Sequence, residues 1–324
     1  QPESSAASDV YKRQLFDFEG SLMRLLRKSL VVFLALTAAA PLFAGTIAAS
    51  SDRKAYPNIL IILVDDLGWH DVGYLNPTVG TPHIDALAES GVRLDQFYAN
   101  PTCSPSRASL LTGLFSRSHG VHAPVTHTSE TGLPTELPLL PQLLSEVGYS
   151  THLVGKWHLG SSDPRFLPTA RGFDSFYGHL NGGIGYFDHV FSGGLDWQRN
   201  GVTIREDGHA SSLLAAEARR IVESQPTEQP FFMLLAFNAP HTPLEEPDGS
   251  GRGHSGRETL VRMISHLDSE IGSVLNVIDR KGLREDTLIM FVSDNGGSAP
   301  KPWLLEFLIP CLLYTSDAAD DSGC

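Results

Sequence analysis

A thiol, a guanidinium and a helix start stand together at Cys103-Ser104-Pro105-Ser106-Arg107. Pro105 suits a first helical turn, Ala108, Leu110 and Leu111 are good helix formers, and Gly113 suits the stop. A helix start presents unpaired backbone N–H groups and so favours an anion. Arg107 adds a permanent positive charge with fork geometry. The three features together describe a site that handles an anion. Elsewhere Asp65-Asp66 and Asp294-Asn295 offer oxygen donors. Adjacent carboxylates repel unless a cation joins them, and oxygen ligands imply a hard cation such as calcium or magnesium. Lys156 supplies a point charge for an anion, and His158 and His241 can exchange a proton near neutral pH. In extended chain Lys156 and His158, two apart, face the same side.

These residues need strands to carry them. Pro57 to Val64 is a continuous apolar run of the kind that forms a central parallel strand covered on both faces, and it ends in Asp65-Asp66. Tyr149 to Val154 runs into Lys156 and His158, Pro230 to Phe237 into His241, and Leu288 to Ser293 into Asp294-Asn295. Four apolar strands each deliver a polar cluster, and a doubly wound, mostly parallel α/β sheet flanked by helices puts all four on one rim. Helices are expected at Thr81–Gly91, with its cap and N-terminal proline, at Leu137–Val147, at Ala210–Val222, and at Glu258–Lys281. In the last, Leu260, Met263, Ile264, Leu267, Ile271, Val274, Leu275 and Ile278 repeat at helical spacing. Val92–Tyr98 is a candidate strand, and Asn200-Gly201 marks a hairpin turn. No internal repeat competes with this architecture.

The run Cys103 to Gly113 resembles the sulfatase signature, Cys-x-Pro-x-Arg followed by a short helix ending in Thr-Gly, and Gly155-Lys156-Trp157-His158-Leu159-Gly160 resembles a second one. The glycine- and aromatic-rich stretch from Pro168 to His189 is similar to the arylsulfatase B-like branch. There His179, Tyr186, Asp188 and His189 are candidates for either substrate contact or loop packing.

The resemblance implies an alkaline phosphatase/sulfatase-like fold and a sulfuric ester hydrolase acting on sulfated carbohydrates or aryl sulfates. It implies that a maturation enzyme oxidises Cys103 to formylglycine, whose hydrate attacks sulfur. It further implies one calcium ion per active site held by Asp65, Asp66, Asp294, Asn295 and residue 103. Arg107 and Lys156 would bind the sulfate, His241 would protonate the leaving alcohol, and His158 would act as base or orienter. The same superfamily holds phosphatases and phosphonate monoester hydrolases, and an inactive, truncated sulfate-binding fragment is the alternative from another class.

The resemblance runs from about Tyr56 to Gly297 and places an incomplete catalytic domain at 56–303. The family's smaller C-terminal subdomain is expected to be missing. So is a further active-site lysine, because the surroundings of Lys301 do not match its motif. Residues 1–22 and 304–324 are expected to be non-native, since Ser4–Gln14 and Cys311–Asp321 resemble translated sequencing-adapter sequence. Met23 to Ala44 has the charged start, short apolar run and small-residue end of a secretory signal. That predicts an exported protein, in periplasm, lysosome or medium, without stable membrane insertion.

Of three cysteines, Cys311 and Cys324 fall in the suspect tail, so Cys103 has no internal disulfide partner. The formal charge of −13 over 324 residues, with no basic stripe, argues against nucleic acid.

Overall fold

In a computed structural model of the protein, residues 56–251 and 255–297 are described. The expected signal at 23–44, both suspect ends and Lys301 lie outside them. Nine strands are assigned among the described residues: β1 (Asn58–Asp65), β2 (Ser150–Lys156), β3 (Ser175–His179), β4 (Val190–Phe191), β5 (Gly194–Leu195), β6 (Gln198–Arg199), β7 (Val202–Thr203), β8 (Phe231–Pro240) and β9 (Thr287–Ser293). The helices are α1 (Pro82–Ser90), α2 (Cys103–Thr112), α3 (Ser116–His119), α4 (Leu140–Glu146), α5 (Ala210–Ser224) and α6 (Gly256–Arg280).

Seven strands form one sheet in the order β7-β6-β3-β2-β8-β1-β9. The neighbours from β3 through β9 are parallel, and β6 and β7 add an antiparallel hairpin at one edge. The expected mostly parallel sheet is therefore present, and the four strands expected to carry the chemistry, β2, β8, β1 and β9, are consecutive. Asn58, fully buried, ties the start of this block: its Nδ2 donates to Thr287 Oγ1, and its Oδ1 accepts from the Phe231 amide.

Side-chain alternation along β8 fills two cores. Phe231, Met233, Leu235 and Phe237 join α5 and α6 on one face, while Phe232, Leu234 and Ala236 join Ala108 and Leu111 of α2 on the other. Helices on both faces explain why β8 is apolar throughout. α6 opens with a reciprocal cap between Ser255 and Glu258.

Two expectations are corrected. Val92–Tyr98 forms no strand; Val92, Leu94 and Tyr98 are exposed, and the run pairs with nothing that would satisfy a ladder. Thr81 does not cap α1. Its hydroxyl donates to Asp85 and accepts from the Gly73 amide. The cap comes from Asp268 on α6, whose carboxylate accepts from the His83 and Ile84 amides.

α5 is capped by His209, whose Nδ1 accepts from the Ser211 amide at 3.2 Å. The ring is buried, stacked on Tyr186 at 5.0 Å and edge-on to His266 at 4.6 Å. Burial, with His266 adding to it, lowers its pKa from 6.5 to about 3. Between those values the unfolded chain binds the proton and the folded chain does not, so stability falls as pH drops through that window. His209→Asn keeps a capping side chain and removes the titration. Unfolding free energies from urea titrations at pH 7 and pH 4 should differ less in this variant than in the wild type, by up to about 3 kcal/mol. An unchanged difference would show that His209 contributes nothing to acid lability.

Candidate active site

The carboxyl ends of the four central strands bring the candidate residues together. β1 ends in Asp65 and continues into Asp66, which has a φ of +63°. A non-glycine residue in that left-handed region turns the chain sharply, so two successive carboxylates need not point to opposite sides. The Asp294 amide donates to the Val64 carbonyl, which carries the β9 ladder one residue past its end and sets Asp294 beside Asp65.

Arg107 lies on the first turns of α2 and is buried. Its Nε and Nη2 donate to Asp294 Oδ2 at 3.2 and 3.0 Å, its Nη1 donates to the Lys156 carbonyl at 2.9 Å, and Asp65 Oδ2 lies 3.6 Å from Nη2. Lys156, also buried, donates from Nζ to Asp65 Oδ2. Asn295 donates from Nδ2 to Asp66 Oδ1 at 2.7 Å, and the Asp66 amide points at Asp294 Oδ1 at 3.4 Å.

Burial works against both charges of the Arg107–Asp294 pair. For Arg107 the two carboxylates outweigh it and raise the pKa above its ordinary value. For Asp294 the Asp65 charge adds to burial and lifts the carboxyl pKa. The difference follows from charge: three carboxylates face only two permanent cations here, so the acidic side is under-compensated.

Cys103 is the first residue of α2 and half-buried. Its Sγ lies 3.1 Å from His158 Nδ1. Burial pushes the thiol pKa up, so the cysteine as encoded is a poor nucleophile. Burial, together with Lys156 and Arg107, holds His158 well below 6.5 and therefore neutral.

His158 does not continue the extended chain from Lys156, as the two-residue spacing suggested. Its φ is +59°, so the side chains of Lys156 and His158 leave the backbone differently and meet the site from different sides. Gly155 makes the approach possible: a Cβ there would collide with the Ala236 carbonyl of β8.

His241 follows β8. Its Nδ1 donates to the Thr242 carbonyl at 2.6 Å, which leaves Nε2 facing Asp66 Oδ2 at 3.8 Å. Sequence reasoning left Tyr186 and His179 undecided. Tyr186 is fully buried and its hydroxyl contacts the His241 carbonyl at 2.8 Å, beneath the histidine. His179 is buried opposite Lys156 in the β2–β3 register. His189 stacks on Trp197 and Asp188 accepts from the Val190 amide, so both serve local packing. Gly182 and Gly183 gave no signal in the sequence. They lie against the two catalytic candidates, and a Cβ at Gly182 would come 2.7 Å from the His158 ring, one at Gly183 3.0 Å from that of His241.

The donor set fits a hard cation. Asp65 Oδ1 and Asn295 Oδ1 are buried without a hydrogen-bond partner among the described residues, and such acceptors ask for a donor or an ion. Donor atoms of Asp65, Asp66 and His241 lie within 4.8 Å of one another. Asp294 and Asn295 reach the same group through Asp66. Among the described residues no helix is long and apolar enough to cross a membrane.

The chain is similar to several known proteins. Arylsulfatase J of Mus musculus is 35% identical over 263 residues, covering 77% of this chain and 44% of that protein. N-acetylgalactosamine-6-sulfatase of Rattus norvegicus is 34% identical over 283 residues, covering 79% of this chain and 53% of that one. The chain thus spans about half the length of the curated relatives it matches. The crystal structure of Ps i-CgsB superposes with a TM-score of 0.70 at 34% identity, covering 75% of this chain and 59% of that chain. It has also been solved in complex with k-i-k-neocarrahexaose. The sulfatase family model matches residues 57–320, a span that holds all four strands of the rim, and the chain belongs to the sulfatase family.

Proposed function

We propose that the whole protein hydrolyses sulfate esters, on sulfated carbohydrates or aryl sulfates, with residue 103 as the reacting side chain. The observation that carries this reading is the convergence of Cys103, Arg107, Lys156, His158 and His241 with four oxygen-bearing side chains at one rim. The names of the relatives support a carbohydrate substrate, because one is an N-acetylgalactosamine-6-sulfatase and another was solved in complex with k-i-k-neocarrahexaose. The sequence from Met23 to Ala44 supports export.

Asp65, Asp66, Asp294 and Asn295, with residue 103, would hold calcium, which supplies positive charge to the sulfate and to the attacking oxygen. Formylglycine at 103 supplies a hydrated aldehyde, whose two hydroxyls provide both a nucleophile and a way to release sulfate. Arg107 and Lys156 fix the sulfate and stabilise its charge as the S–O bond breaks. His158, neutral, faces the side chain of residue 103 and accepts a proton there. His241 holds Nδ1–H on the Thr242 carbonyl, which leaves Nε2 as the atom from which a proton would be donated. That proton goes to the leaving alcohol.

The charge of the site, with a divalent cation, balances that of a sulfate monoester. Three carboxylates and two cations sum to −1, and a divalent cation brings the site to +1. A sulfate monoester carries one negative charge, whereas a phosphate monoester approaches two at neutral pH. The test is turnover of paired aryl sulfate and aryl phosphate by protein produced with a formylglycine-generating enzyme, with the mass of the Cys103 peptide read in parallel. Faster sulfate turnover with a converted Cys103 is expected. A preference for phosphate would move the protein to the phosphatase branch, and an unconverted thiol with no turnover would make it a binding fragment.

Calcium should also stabilise the folded chain. At a hundredfold excess over the dissociation constant the gain is about 2.7 kcal/mol, read as a raised thermal midpoint that a chelator reverses. Asn295→Ala should lose most of that shift, and a midpoint indifferent to calcium would remove the metal from the reading.

A further inference from the structure

We infer that the Ser104 hydroxyl is a positioning group for His158, an inference that rests on the sulfate-ester reading above. Ser104 is fully buried, between Cys103 and Pro105. Its Oγ donates to the His158 carbonyl at 2.7 Å and accepts from the Val125 amide at 3.0 Å. One hydroxyl therefore joins three segments: the second residue of α2, the turn after β2, and the loop between α3 and α4.

His158 is the residue that needs this restraint. Its φ of +59° is disfavoured for any side chain other than glycine and persists only where the surroundings impose it. Contacts to both its backbone and its ring impose it. The His158 amide donates to the Leu180 carbonyl at 3.0 Å, and the carbonyl is held by Ser104. The ring is confined by Gly182 on one side and by residue 103 on the other. Removing the hydroxyl takes a donor from a buried carbonyl and frees that peptide to rotate toward the extended region. Rotation there swings Nδ1 away from residue 103. Ser104 itself faces the peptide rather than the sulfate pocket, so it acts through His158.

The experiment compares Ser104→Ala, Ser104→Thr and Ser104→Cys in the full chain, each matured alongside the wild type. Displacement of a proton acceptor by about an ångström costs on the order of 100-fold in rate, so Ser104→Ala should lose kcat by about that factor with KM within twofold. Ser104→Thr, which keeps the hydroxyl, should recover kcat to within a few-fold. Ser104→Cys, of similar size but a weak donor, should fall between them and keeps the comparison readable if the alanine variant is unstable.

Crystal structures supply a readout independent of activity. In Ser104→Ala, His158 should leave the left-handed region, with Nδ1 beyond hydrogen-bond reach of residue 103. The inference is overturned by wild-type kcat in the alanine or cysteine variant, by a threonine variant as slow as alanine, or by an unmoved His158 in the alanine crystal. If the wild type itself does not turn over an aryl sulfate, the sulfate-ester reading fails, and the crystallographic comparison alone decides the role of Ser104.

Discussion

Cys103→Ala is expected to lose turnover of an aryl sulfate by a factor on the order of 10,000 or more, the scale seen when a covalent nucleophile is removed. Stability should change little, because the side chain is only half-buried and its polar contact among the described residues is with His158. Cys103→Ser sharpens the result. Serine restores an oxygen nucleophile in the same place, beside the same guanidinium and lysine, yet it has a single hydroxyl. A sulfated serine has no second hydroxyl with which to expel sulfate, so this variant should be as inactive in steady state as alanine. Release of the aryl alcohol, followed by absorbance, measures both. Wild-type rates in the serine variant would leave the site standing and discard formylglycine. Comparable hydrolysis by the alanine variant would remove residue 103 from the chemistry.

Arg107→Leu should lose both activity and stability, the latter by about 3–5 kcal/mol, the range for breaking one partner of a buried ion pair. The guanidinium satisfies Asp294 with two N–H groups and the Lys156 carbonyl with a third. Leucine fills part of the volume and supplies none of these donors. It leaves Asp65 and Asp294 facing a single cation, Lys156, in a buried setting. Arg107→Lys separates charge from geometry. Lysine keeps the charge but lacks the planar fork, so it should retain more of the urea midpoint than leucine while remaining slow on substrate. A leucine variant with a wild-type midpoint would show that the carboxylates are compensated by something other than Arg107.

Much of the fold was legible because its signals are local. β1 and β8 are apolar on both faces, as strands of a covered parallel sheet are, and α6 repeats its apolar residues over seven turns. The Asn200-Gly201 turn also appears where expected, with both residues at positive φ between β6 and β7. Val92–Tyr98 differs from expectation because strand-forming residues say nothing about whether a partner strand is available. Thr81 was misjudged for a similar reason: a capping residue competes for its own hydroxyl with Asp85, and the amides it leaves are taken by a carboxylate from α6.

Which atoms are available is written in short stretches of chain: a cysteine at a helix start, an arginine one turn on, carboxylates after apolar strands, and two histidines at strand ends. Side-chain chemistry and periodicity are properties of short stretches, so they survive being read in one dimension. Only the tertiary structure decided how those atoms pair. Asn295 is bound to Asp66 because strand order makes β1 and β9 neighbours across more than two hundred residues, and the packing of β2 and α2 at the same rim brings Lys156 to Asp65 and Arg107 to Asp294. The left-handed turns at Asp66 and His158, the two glycines against the histidine rings, and Ser104 beneath His158 follow from the same packing. Such contacts depend on distances between segments far apart in the chain, and no local pattern encodes them.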